Sequence, residues 1–244
     1  MSEELVRLSK LMSERGICSR READEFIQRG WVIVDGSPIR ELGTKVRRDQ
    51  HVELALPAQN KQNDKATFLL YKPVGYVSGQ PEKNYPPAAK LLLPENQMAG
   101  DVGDIRRQHF QGLAPAGRLD IDSRGLMVFT QDGRLAKLLT GNNGEIEKEY
   151  HIRVIGEINS HRLQKLRHGL SLDDKPLLPA DVSPLGEGRL RMILREGRHR
   201  QIRRMCEAVD LKVVGLMRVR IGKIKLGDLP EGRWRFLRAD ESFV

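Results

Sequence analysis

Carboxylates, guanidiniums and a hydroxyl lie close together in one short polar stretch of this sequence, residues 118 to 124. They are Arg118, Asp120, Asp122, Ser123 and Arg124. The apolar run Leu126–Phe129 follows directly and predicts a buried strand, which would fix what the loop presents. Polar groups anchored in this way are a common means of building a binding or catalytic site. The alternative is a solvated loop with helix-capping aspartates.

A second stretch concentrates positive charge. Four arginines fall within seven residues, at Arg198, Arg200, Arg203 and Arg204. The apolar residues that follow at helical spacing, Ile202, Met205, Cys206 and Val209, predict a helix that begins within the cluster. Guanidiniums and backbone donors at the start of a helix suit phosphate groups. The alternative here is a solvated basic helix face.

The charge of the whole chain favours a polyanionic partner. The 244 residues carry a net charge of +9. Residues 1–62 are almost neutral, with 11 basic and 10 acidic side chains, whereas residues 189–225 hold 12 basic and 3 acidic ones. This basic stretch contains no aromatic residue, although a membrane-binding helix usually has an apolar face with Trp or Phe. Nucleic acid is therefore favoured over a membrane.

Other classes of site and location are disfavoured by what the sequence lacks. The two cysteines, Cys18 and Cys206, give neither a disulfide framework nor a metal cluster, and no His spacing suggests a metal site. No Walker motif or Gly-x-Gly-x-x-Gly motif is present. The sequence shows no signal-peptide pattern or membrane span, so we expect a cytoplasmic protein. From the missing metal and nucleotide motifs we expect neither metal nor cofactor.

The N-terminal segment predicts a small module of two helices and a few strands. Apolar residues from Leu5 to Met12 recur at helical spacing, Ser19 to Glu22 forms a capping box, and Trp31 to Val34 predicts a strand. The pieces Arg7-Leu-Ser-Lys, Gly16-Ile-Cys-Ser-Arg-Arg-Glu-Ala and Gly30-Trp-Val-Ile-Val-Asp-Gly resemble the S4 RNA-binding module. That resemblance implies RNA contacts by Lys10, Arg20 and Arg21, which could otherwise be ordinary exposed helix charges.

Four further pieces, in order, resemble the RsuA/RluB-type ribosomal RNA pseudouridine synthases. They are Leu69-Leu-Tyr-Lys-Pro-Val-Gly, Gly117-Arg-Leu-Asp with Ser123, Gly125 and Thr130, Lys148-Glu-Tyr, and Glu196-Gly-Arg-His-Arg-Gln-Ile-Arg-Arg-Met. Together with the S4 module, the resemblance covers nearly the whole chain. It implies isomerisation of uridine in RNA, without cofactor, with ribosomal RNA of the large subunit as the expected partner and transfer RNA as another.

The resemblance also implies roles for individual residues. Asp120 is the catalytic aspartate, Arg203 its cationic partner, and Tyr150 stacks on the uracil. Such an enzyme flips the uridine out of the RNA, and Arg118 would fill the vacated place or hold a flanking phosphate. The RNA-binding set is completed by Lys72, Arg198, Arg200 and Arg204.

The implied fold is α+β, in two domains. We expect an S4 domain at residues 1–57, a linker at 58–65 and a catalytic domain at 66–244, with a mixed, mainly antiparallel sheet flanked by helices. Residues 96–112 depart from the family pattern as an insertion just before the active site. The competing hypothesis is a non-catalytic RNA-binding or ribosome-assembly factor of the same fold. We infer no membrane contact and no obligatory protein partner.

Overall fold

The computed structural model describes residues 5–81, 84–101, 103, 105–141 and 146–244. The N-terminal part of the chain consists of short strands and helices. Its elements are β1 (Leu5–Arg7), α1 (Leu8–Glu14), α2 (Arg20–Gln28), β2 (Val32–Val34), β3 (Ser37–Ile39), β4 (Lys45–Arg47), β5 (Val52–Leu54) and α3 (Leu56–Asn63). We call β1 to β5 with α1 and α2 the N-terminal unit.

The N-terminal unit has its own core. Leu8, Phe26 and Val32 are fully buried in it, and β2 pairs on both sides with β3 and β5. The predicted capping box is present at the start of α2, where the side chains and backbone N–H groups of Ser19 and Glu22 cap each other. The first helix begins at Leu8 rather than at Leu5, because Leu5–Arg7 pairs with β4.

The segment expected to be a linker contains a helix. Helix α3 starts at Leu56, with Pro57 in its first turn, where a proline removes no intrahelical hydrogen bond. The helix ends at Asn63, and β6 begins four residues later. A helix in this place is stiffer than the polar composition of residues 58–65 suggested.

The described residues after α3 form a large sheet, a separate two-stranded hairpin of β10 and β11, and three helices. The strands of this part are β6 (Thr67–Lys72), β7 (Ala114–Pro115), β8 (Arg124–Thr130), β9 (Lys148–Ile155), β10 (Ser171–Leu172), β11 (Lys175–Pro176), β12 (Asp181–Pro184), β13 (Arg189–Leu194), β14 (Lys212–Ile221), β15 (Ile224–Lys225) and β16 (Trp234–Phe236). Its helices are α4 (Gly133–Thr140), α5 (Ser160–Arg167) and α6 (Gln201–Glu207), with 3-10 turns at Ala88–Leu91, Pro94–Asn96 and Arg107–Phe110.

The strands of this sheet run in the order β12-β13-β9-β14-β8-β6-β16, with β15 on β14 and β7 on β8. The pair β14–β8 is parallel, and the other pairs are antiparallel. Side chains of α5 and α6 enter the core on one face of the sheet, and Leu139 of α4 enters the core on the other. The expected α+β fold, with a mixed, mainly antiparallel sheet flanked by helices, is confirmed.

The expected insertion, residues 96–112, packs against an edge of the sheet. Its Phe110 ring lies 5.3 Å from Phe68 and 5.8 Å from Trp234, measured between centroids. Arg106 donates to Asp64 just after α3. Val102 and Asp104 of this segment lie outside the described residues. Across the described ranges, no helix is long and apolar enough to cross a membrane.

The N-terminal unit docks on the start of α4. A Cβ added to Gly133 would lie 2.5 Å from the Cβ of Ser19, so only glycine permits this close approach. Arg134 donates to the carbonyls of Gly16 and Ile17. Lys65, between α3 and β6, forms an ion pair with Glu22 of α2 and lies 3.9 Å from Asp132. These contacts join α2 to the turn between β8 and α4.

Burial alone would raise the pKa of Glu22. The hydrogen bonds from Lys65 and Ser19 outweigh that effect and hold its pKa below the ordinary value. The pair therefore stabilises the protein fully above the unfolded-state pKa of Glu22, and this stabilisation is lost as the pH falls through the folded-state value.

We expect Lys65→Met to lower the free energy of unfolding by about 1 to 3 kcal/mol, because it leaves a half-buried carboxylate without its cation. Urea denaturation at pH 7 measures the effect. Lys61→Met is the matched control: Lys61 pairs with Glu25 in an exposed setting, so its removal should cost about 0 to 1 kcal/mol. Equal losses in the two variants would contradict the role of Lys65.

Candidate active site

Six consecutive backbone carbonyls are anchored just before β8. We call residues 118–123 the Asp120 loop. Three of its carbonyls accept hydrogen bonds from uncharged donors. The Ser78 hydroxyl donates to Leu119 at 2.6 Å, the Ser123 N–H donates to Asp120 at 3.1 Å, and the Gly75 N–H donates to Ile121 at 2.9 Å. The Ser78 oxygen also accepts from the N–H of Leu119 at 2.8 Å, so it fixes both backbone groups of the residue before Asp120.

Cationic side chains hold the other three carbonyls of the Asp120 loop. Arg218 Nη1 donates to Arg118 at 3.2 Å, Arg203 Nη2 donates to Asp122 at 3.0 Å, and Lys72 Nζ donates to Ser123 at 2.8 Å. These donors come from β14, α6 and β6. The loop is therefore bonded to three separate elements of the domain, and its backbone has little freedom left.

The strand after the loop also depends on a close backbone contact. Gly125 has a φ of +117°, and a Cβ there would lie 2.3 Å from the carbonyl oxygen of Arg218. A larger residue would push β8 away from its parallel neighbour β14. Gly125 is thus what allows the two strands to meet after the loop.

The carboxylate of Asp120 is the centre of this arrangement. Its side chain is 30% exposed, and two guanidiniums face it: Arg200 Nη1 at 3.7 Å and Arg203 Nε at 3.9 Å from Oδ2. Both distances are longer than a hydrogen bond. The structure thus brings the predicted Asp120 and Arg203 together as an ion pair without a direct hydrogen bond.

The neighbouring Asp122 takes the close contacts instead. Its carboxylate lies 3.0 Å from Arg200 Nη2 and 3.1 Å from Arg203 Nη2. Burial would raise the pKa of Asp122, but these two arginines outweigh it and hold the pKa below its ordinary value. The sequence motif had singled out Asp120, whereas Asp122 had been named only as a member of the polar stretch and given no role.

Lys72 lies beneath the loop and has no exposed surface. Its ammonium donates to the carbonyls of Pro73 and Ser123. Burial lowers the pKa of Lys72 to about 8, although the charges of Asp120 and Asp122 act in the opposite direction. The predicted RNA contact of Lys72 has no surface to use in this structure, where the residue supports the loop from within.

Tyr150 belongs to β9 and lies directly opposite Arg218 of β14 in the strand register. It is 9% exposed and packs in the same core cluster as Leu119, the neighbour of Asp120. Arg218 is 1% exposed, and its Nε donates to the carbonyl of Leu126. Arg218 and Arg220 alternate with apolar residues in Leu216–Ile221, a sequence signal that the motif comparison had passed over.

The remaining predicted RNA-binding residues fall into two groups. Arg198 and Arg204 lie at the hairpin β10–β11: Arg198 donates to the carbonyls of Leu172, Lys175 and Pro176, and Arg204 makes a two-point contact with Asp173. Arg118, Arg20 and Arg21 are exposed, and Lys10 lies 3.6 Å from Glu14. Their RNA contacts stay predictions. Within the described ranges, no cluster of His, Cys, Asp or Glu could hold a metal ion.

Comparison with known proteins agrees with this geometry. Residues 66–208 match the model of the RNA pseudouridylate synthase family, and residues 6–52 match the S4 domain. The chain therefore belongs to the RNA pseudouridylate synthase family and carries an N-terminal S4 domain. It is an RNA pseudouridine synthase, and the resemblance noted in the sequence is confirmed.

Relatives match along most of their length. An uncharacterized RNA pseudouridine synthase of Aquifex aeolicus (strain VF5) is 35% identical, over 97% of this chain and 94% of that protein. The ribosomal large subunit pseudouridine synthase B of Bacillus subtilis (strain 168) is 32% identical, over 97% and 94% respectively. A crystal structure of a pseudouridylate synthase superposes with a TM-score of 0.64 at 24% identity, covering 96% of each chain, which supports the fold.

We expect Ser78→Ala to slow uridine isomerisation about 10- to 100-fold in single turnovers at saturating RNA. Both backbone groups of Leu119 lose their partner, and a displacement of about 1 Å at a reacting group can cost about 100-fold. RNA affinity should change little, since Ser78 is buried. Ser37→Ala, at an exposed position in β3, is the control. A Ser78→Ala enzyme with the wild-type rate would show that this hydroxyl is not needed to position Asp120.

Proposed function

We propose that this protein converts a uridine of large-subunit ribosomal RNA to pseudouridine, with Asp120 as its catalytic carboxylate. The observation that carries the proposal is the position of Asp120. It stands on a loop whose six carbonyls are all anchored, and its partly exposed carboxylate faces two guanidiniums without being hydrogen-bonded to either. A carboxylate held in this way is preorganised and keeps its oxygens available to a substrate.

The isomerisation exchanges one bond of the ribose for another. The bond between C1′ and N1 breaks, the uracil turns, and C5 bonds to C1′. The proton on C5 leaves, and N1 gains a proton, so no redox agent is consumed. A carboxylate can assist either by attacking the sugar or by removing the 2′ hydrogen. Both routes use the carboxylate form of Asp120, beside which Arg200 and Arg203 place positive charge.

We assign the other site residues as follows. Tyr150 stacks on the uracil, and its hydroxyl is the candidate for the proton transfer at C5. Arg203 is the cationic partner of Asp120. Because a stacked uridine is out of reach, the enzyme flips it out, and the exposed Arg118 beside Asp120 is available to fill the gap or hold a phosphate.

The choice of ribosomal RNA rests on the relatives. Two of them, from Bacillus subtilis (strain 168) and Yersinia pestis, are named ribosomal large subunit pseudouridine synthase B. The S4 domain supplies exposed Arg20 and Arg21 for the RNA backbone. We place the protein in the cytoplasm, together with that substrate.

Asp120→Asn should abolish turnover and retain RNA binding, because it keeps the size of the side chain and removes its charge. Mapping pseudouridine across total RNA, from cells with wild-type protein, with Asp120→Asn protein or with none, identifies the target and tests the residue together. Asp240→Asn, an exposed aspartate, is the control. A site modified equally by the Asp120→Asn protein would refute the assignment. If no pseudouridine in the RNA depends on the wild-type protein, the activity is refuted.

Replacing Arg20 and Arg21 by Gln should weaken RNA binding without altering the chemistry. The slope of log affinity against log salt should shrink by about 0.7 to 0.9 for each lost phosphate contact. The rate at saturating RNA should stay unchanged, because binding ground and transition states equally does not raise it. Filter binding across a salt series gives the slope, with Lys61→Gln as control. An unchanged slope would remove both arginines from the RNA interface.

A further inference from the structure

The two arginines of the site do not bond to the carboxylate that we propose as catalytic. Arg200 and Arg203 place their Nη2 atoms 3.0 Å and 3.1 Å from Asp122, whereas their nearest approaches to Asp120 are 3.7 Å and 3.9 Å. Arg203 Nη2 also donates to the backbone carbonyl of Asp122. Asp122 therefore holds both guanidiniums, and Asp120 receives only their electric field.

A buried donor atom of Arg203 is left over by this arrangement. Among the residues that the structure describes, two buried side-chain nitrogens have no hydrogen-bond partner, namely Arg203 Nε and Arg218 Nη2. Arg203 Nε is the atom that faces Asp120. An unsatisfied buried donor is costly, and a small shift would satisfy it on Asp120. Instead, Arg203 Nη2 lies 3.1 Å from Asp122 Oδ1 and donates to the carbonyl of Asp122.

The backbone at Arg200 adds to the same picture. Arg200 precedes α6 with φ at 49° and ψ at 32°, a left-handed conformation that is unfavourable for a residue with a side chain. Strained conformations persist at functional sites where surrounding contacts determine them. Here the guanidinium of Arg200 is fixed by both oxygens of Asp122.

To act on a substrate, the carboxylate of Asp120 must keep its lone pairs free. Direct hydrogen bonds from a guanidinium would occupy those lone pairs. We propose that Asp122 is a positioning residue, which holds Arg200 and Arg203 at 3.7 Å and 3.9 Å from Asp120, beyond hydrogen-bond distance, and so keeps that carboxylate free for the uridine. This inference rests on the proposed catalytic role of Asp120.

Asp122→Asn should produce an unusual pair of effects. The rate at saturating RNA falls about 10- to 100-fold, because Arg203 is released to bond Asp120. RNA affinity rises, because a repelling carboxylate is lost and Arg200 becomes available to a phosphate. The salt slope steepens by about 0.7 to 0.9, the value of one added contact. A variant that had merely lost local structure would lose rate and affinity together.

The probe is a transcript containing the uridine mapped for the wild-type protein, used in single turnovers and in filter binding. Asp173→Asn is the matched control, since Asp173 holds Arg204 of the same helix by a similar two-point contact at the hairpin β10–β11. That variant should keep the wild-type rate. If Asp122→Asn keeps the wild-type rate, or loses rate and affinity together, the inference is wrong.

A structural measurement covers the case in which Asp122→Asn does not fold. In a crystal structure of Asp120→Asn protein with the same RNA, the Arg203 guanidinium should still lie on Asp122. Arg203 detached from Asp122 and bonded to residue 120 would overturn the inference. A wild-type protein that converts no uridine would instead refute the proposed function, so the two failures can be told apart.

Discussion

The anchoring of six consecutive carbonyls in the Asp120 loop is the constraint on which the site depends. Backbone groups of a surface loop usually bond to water, whereas here each carbonyl from Arg118 to Ser123 has a protein donor. The donors belong to β6 and the loop after it, α6, β14 and the loop itself. The large sheet can therefore be understood as the frame that brings these donors to one place, including the strand contact at Gly125.

The effect of the positive charges around the Asp120 loop depends on where each cationic side chain lies. Lys72 and Arg218 are buried and donate hydrogen bonds to backbone carbonyls. Their positive charges therefore lie near the site without a hydrogen bond to a carboxylate. Arg200 and Arg203 lie near the carboxylates of Asp120 and Asp122, and their short contacts are with Asp122. Among these positive charges, Asp122 has close contacts with two guanidiniums, whereas Asp120 has no hydrogen bond to either.

Much of the fold and part of the site could be predicted from the sequence. Capping of α2, the strand after the Asp120 loop and the helix after the arginine cluster follow from local spacing, which side-chain chemistry fixes over a few residues. The motifs placed Asp120 beside Arg203. Ser78 and Arg218 were not predicted and Asp122 was named without a role, because their contacts reach across 41 to 100 residues of chain. Lys72 was predicted to contact RNA but is buried, and nothing in the motif around it indicates that burial. Helix α3 also escaped prediction, because its polar composition gives no apolar face.

Strand β8 fixes the distance between the Asp120 loop and the turn that contacts the N-terminal unit. The Asp120 loop precedes this strand, and the turn that contacts the N-terminal unit through Gly133 and Arg134 follows it. Seven residues of extended backbone separate the two ends by about 20 Å. The contact with the S4 domain and the loop that carries the proposed catalytic Asp120 thus lie at opposite ends of one strand. An RNA that presents a recognisable feature and a uridine at a different spacing would engage one end only, so distance within the folded RNA becomes a criterion of substrate choice alongside its sequence.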